Sequence, residues 1–71
     1  MTSADKLVYM ANQIGKFFAH KPPDVAVAAI ADHLRKFWDP RMRAQIRETL
    51  DRGDDRLEPN ARRAVESLRL D

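Results

Sequence analysis

The chain has 71 residues and no Cys, which bounds it to one small domain, residues 1–71, and excludes disulfides, thiolate zinc sites and iron–sulfur ligation. Thirteen Lys or Arg are interleaved with eleven Asp or Glu for a net charge of only +2, so neither half forms a polybasic arm for nucleic acid or membrane. Two His are too few for a metal site unless carboxylates join them, and a single core of this size seldom supplies more than about 3–5 kcal/mol.

Ser3 is placed to cap a first helix over about residues 4–20, with Leu7, Met10, Ala11, Ile14, Phe17 and Phe18 in one apolar stripe. Pro22 and Pro23 end it, because a residue before proline is driven out of the α region. Its far side holds Tyr9, Gln13, Lys16 and His20, an exposed aromatic among polar groups. Gly15 costs the helix roughly 1 kcal/mol relative to alanine, which suggests close approach of another backbone.

A second helix is expected over about 24–38, with a stripe of Val27, Ile30, Ala31, Leu34, Phe37 and Trp38. Residues 25–31 are apolar at every position. A helix apolar all round is buried on more than one side, by its own bundle or by something outside the chain. Asp39 then caps a third helix of about 40–52, with Pro40 at its first position, a spine of Met42, Ile46 and Leu50, and Gly53 beyond its end. Pro59 opens a fourth helix to about residue 69, whose apolar face is Ala61, Ala64, Val65 and Leu68; Glu58 before it is a poor cap. No stretch alternates like a strand. The expected fold class is all-α, a small bundle of four short helices.

The residues carry no recognisable catalytic constellation. No Ser or Cys nucleophile has a base at workable spacing, and no Gly-rich loop cradles a phosphate. Asp32 and His33 are adjacent, so on a helix they point about 100° apart and cannot work together. Surface or capping roles are the plain reading of His20 and His33. The three Phe fit the core by spacing, whereas Trp38 stands between core and interface, because Trp is seldom wholly buried and is enriched at binding hot spots. Arg35, Lys36, Arg41 and Arg43 surround it in sequence. The candidate partner-binding residues are therefore Trp38, Phe37, Arg35, Arg41 and Arg43, with Tyr9, Gln13 and Lys16 as a second face. Arg41, Arg43 and Arg47 after a tight turn also invite a helix–turn–helix reading, which the low net charge and Asp39, Glu48 and Asp51 oppose. No catalytic, cofactor-binding or metal-binding residue is expected.

Two tracts, Lys6-Leu-Val-Tyr-Met-Ala-Asn-Gln-Ile-Gly-Lys-Phe-Phe-Ala19 and Ala29-Ile-Ala-Asp-His-Leu-Arg-Lys-Phe-Trp-Asp-Pro-Arg-Met-Arg43, closely resemble the delta subunit of soluble NAD-dependent formate dehydrogenase. The resemblance implies a non-catalytic accessory subunit of a cytoplasmic molybdenum or tungsten enzyme, whose other subunits oxidise formate and reduce NAD. It implies docking on the catalytic alpha subunit, and through it association with the beta and gamma subunits, in support of assembly or stability. The molybdopterin guanine dinucleotide, iron–sulfur clusters, FMN and NAD of such a complex would all belong to those partners. The rival readings are a transient assembly factor or chaperone for molybdenum cofactor insertion and a small DNA-binding regulator. A weak homodimer in isolation is compatible with the thin core. The N-terminus has no basic segment followed by an apolar run, and no stretch approaches the roughly 20 apolar residues of a membrane span, so the expected location is the cytoplasm.

Overall fold

The computed structural model describes residues 3–68. They form four helices: α1 (Ala4–Phe17), α2 (Pro23–Phe37), α3 (Pro40–Asp51) and α4 (Pro59–Ser67). The architecture is an all-α bundle, with no strand among the described residues.

The helix starts follow local chemistry. Ser3 Oγ accepts from the Lys6 N–H at 3.2 Å, and Asp39 Oδ1 accepts from the Met42 N–H at 2.8 Å. Both bonds satisfy donors that a helix leaves unpaired in its first turn. Pro23, Pro40 and Pro59 each open a helix, where the missing N–H costs nothing. Glu58 makes no side-chain cap.

The helix ends differ from expectation by small margins. α1 stops at Phe17 instead of His20, because the chain tightens into three-residue turns before Pro22, with Ala19 N–H donating to Lys16 and Lys21 N–H to Phe18. α2 stops at Phe37 because Trp38 is already extended (φ −93°, ψ 134°). Past α3, Gly53 takes φ +89°. Its N–H bonds Leu50 O at 3.0 Å while the Asp54 N–H bonds Thr49 O at 3.4 Å, the paired bonds of a Schellman end. α4 is helical to Ser67 with Leu68 as its cap; the expected end at residue 69 lies outside the described residues.

α2 and α4 pack most extensively on each other, and α1 touches all three other helices. The core joins Leu7, Val8 and Ala11 of α1, Ile30, Ala31 and Leu34 of α2, Ile46 and Leu50 of α3, and Ala61, Ala64 and Val65 of α4, with Trp38, Leu57 and Leu68 from the connections. Met10, Ile14, Phe18, Val27 and Met42 close its edges. The seam between α1, α2 and α4 is made of small residues, since Ala11, Ala26, Ala61 and Ala64 have no exposed surface and Gly15 is buried among them.

Gly15 does not mark a backbone crossing. A Cβ built there would meet the Ala61 Cβ at 3.7 Å and the Ile30 Cδ1 at 3.8 Å, both side-chain atoms at ordinary contact distance. Gly15→Ala is therefore expected to stabilise the fold by about 0.5–1 kcal/mol, through better helix propensity and a filled gap. A rise in the urea midpoint at unchanged slope checks it. A fall would mean that the helices need that space.

Candidate docking surface

Trp38 and Phe37 exchange the roles that their spacing leaves open. Trp38 is only 5% exposed and belongs to the core, whereas Phe37 is 71% exposed. Phe37 occupies the last turn of α2, where a side chain leans back toward the helix start. It lies on His33, ring centroids 4.7 Å apart. The chain turns at Trp38, and the indole takes the core position instead. An exposed tryptophan anchor at the elbow is thus not what the fold presents.

The arginines expected around that anchor do not gather there. Arg41 and Arg43 are two residues apart on α3 and so point about 200° from each other. Arg41 lines a depression beside Ala4 and Thr49, while Arg43 lines another with Pro40, Arg47 and Leu68. The same geometry denies α3 a single basic face. Arg35 lies on the exposed side of α2. Tyr9, Gln13 and Lys16 share the solvent face of α1, with Tyr9 63% exposed.

Phe17, like Phe37, lies outside the core. Its place in the α1 stripe predicts core, yet it is 73% exposed at the last turn, edge-on to the partly buried Phe18 with centroids 5.0 Å apart. The apolar run 25–31 is likewise not buried on two sides, because Val25 and Ala28 face solvent. On α2, Val25, Ala29, His33 and Phe37 recur every fourth residue, forming one ridge that winds about 120° around the helix from end to end. That ridge is apolar at both ends, and Val25 is half-exposed.

Other polar residues secure the loop between α3 and α4. The Asn12 side chain donates to Arg56 O at 3.0 Å and accepts from the Glu58 N–H at 2.9 Å, fastening the loop to α1. The Arg56 guanidinium donates to both Asp54 oxygens and to Asp5 Oδ1 at 2.7 Å. Hydrogen bonds from the Arg56 side chain, then from its backbone N–H, hold the Asp54 carboxyl at about 2, against an ordinary 3.8. A carboxyl depressed in this way supports the fold above about pH 4 and loses that support as pH falls toward about 2. The Arg56 partner is about half exposed, so solvent screens the pair and the contribution is small.

Among the described residues no group of three His, Asp or Glu is arranged to hold a metal ion, and no helix is long and apolar enough to cross a membrane. The family model described as NADH-dependant formate dehydrogenase delta subunit FdsD matches residues 6–65. The chain belongs to that family. The match spans all of α2 and α3 and nearly all of α1 and α4, so the whole bundle is the family's domain. Neither a curated protein nor a solved structure matches it. A delta subunit is one component of an assembly, and the exposed residues are best read with other subunits in view.

Proposed function

We propose that this chain is the non-catalytic delta subunit of a cytoplasmic, NAD-dependent molybdenum or tungsten formate dehydrogenase, and that it docks on the catalytic alpha subunit to support assembly or stability of the active enzyme. The family match supports the setting. The observation that carries the docking is the pair of exposed apolar side chains at the two ends of the α2 ridge, Phe37 at 71% and Val25 at 50% exposure, on a domain whose core already contains its Trp. Large apolar side chains left in water on so small a domain are a feature of partner surfaces. In this reading the cofactors and the redox chemistry stay with the larger subunits, and the delta subunit contributes contact area alone.

Val25→Ser with Phe37→Ser tests the ridge. Both positions are exposed, so circular dichroism and the denaturant midpoint should stay near the parent values. Affinity for the co-expressed alpha subunit should fall at least tenfold, which corresponds to about 1.4 kcal/mol. Unchanged affinity would remove the α2 ridge from the interface, and Tyr9→Ala with Lys16→Ala on the other face of α1 would be examined next. Equal stoichiometry with the mature, cofactor-loaded enzyme marks a permanent subunit. Association confined to alpha subunit lacking its cofactor marks a transient assembly factor.

A further inference from the structure

α3 carries a second feature that the α2 ridge does not explain. Arg43 and Arg47 lie one turn apart and, with Pro40 and Leu68, line a depression of about 270 Å³. Like charges four residues apart on a helix repel, and among the described residues the lining holds no carboxylate. Arg47 Nη1 donates to Leu68 O at 3.3 Å. The Nε atoms of both arginines are shielded from water and have no hydrogen-bond partner among the described residues. Arg52, Arg56 and Arg63, by contrast, each pair with an acidic side chain of this chain.

Resting on the subunit reading above, we propose that this depression is a carboxylate slot, which receives an Asp or Glu side chain of a partner subunit between the two guanidinium groups. A planar guanidinium edge matches a carboxylate through paired N–H bonds, and small rotations at the ends of the arginine side chains bring the idle Nε–H donors to it. Pro40 and Leu68 complete the lining, and Leu68 meets Arg47 through its carbonyl oxygen. A phosphate group is the poorer occupant. The start of α3 is already capped by Asp39, and no glycine-rich loop adds backbone donors. The slot lies on α3, so a partner touching it and the α2 ridge would be held at two separate places and fixed in orientation.

Nitrogen-15 NMR of the full chain, observing the arginine Nε–H signals, reads the slot directly with acetate as the probe. Acetate should shift the Arg43 and Arg47 signals together and saturably, whereas chloride at equal ionic strength should not. Absence of an acetate-specific shift overturns the proposal. In the assembled complex, Arg43→Gln should weaken binding to the partner subunits at least tenfold while helicity is kept, and Arg43→Lys, which keeps charge but not the planar fork, should restore little. Arg43 is the better variant because Arg47 also holds Leu68 O. If Arg43→Gln binds as the parent does while Val25→Ser with Phe37→Ser fails to bind, the slot is refuted and docking stands. If Arg43→Gln loses binding while the α2 variant keeps it, the slot stands and the ridge is the part that is wrong.

Discussion

Trp38→Ala is expected to unfold most of the isolated chain, at a cost of about 3–5 kcal/mol. The indole is 5% exposed and packs in the common core with residues of all four helices. Its removal leaves a hole at the joint of α2 and α3, where Trp38 is extended and Asp39 and Pro40 fix the start of the next helix. A core in a domain this small supplies about the same 3–5 kcal/mol in total, so little margin is left. Phe37→Ala, one residue earlier and 71% exposed, should stay within about 0.5 kcal/mol of the parent. Far-UV circular dichroism and a urea titration of the two variants compare adjacent aromatics of opposite fate. A Trp38→Ala chain with the parent's midpoint would show that the ring is not part of the core.

Ala61→Leu should cost about 1–3 kcal/mol by overpacking. Ala61 has no exposed surface, and its Cβ faces the site where a Gly15 Cβ would stand, 3.7 Å away. Three further carbon atoms on α4 would push α1 off or force strained rotamers. Paired with the gain expected for Gly15→Ala, this variant measures the gap between the helices, which admits one methyl group and no isobutyl. Calorimetry or denaturant melts of both suffice. An Ala61→Leu chain as stable as the parent would mean that the seam is loosely packed.

What the sequence made legible was whatever depends on near neighbours. Ser3, Asp39 and the helix-opening prolines act within one turn, so their residue types announce their places. Gly53 beyond α3 was equally plain, as was the poor cap at Glu58. Periodicity located the stripes, but at the last turns of α1 and α2 it failed to separate inside from outside. Phe17 and Phe37 sit at core angles where the facing helices no longer cover them, and only the path of the chain decides that. The exchange of Trp38 for Phe37 has the same origin. Asn12 and Arg56 were beyond reach for another reason: each reaches a partner more than forty residues away in sequence, and no pattern records such contacts. The pairing of Arg43 with Arg47 could have been found, since four residues on a helix share a side and two do not. Their sheltered Nε atoms could not.

The small-residue seam of α1, α2 and α4 also bears on how so short a chain stays folded. A buried leucine or methionine surrenders rotamer freedom when it is fixed, whereas alanine and glycine have no side-chain rotamers to surrender. With Ala11, Ala26, Ala61 and Ala64 all fully covered, part of the bundle's compaction is achieved with no side-chain ordering at all. Such contacts have no alternative rotamers, so the seam adds no side-chain disorder of its own to the folded state.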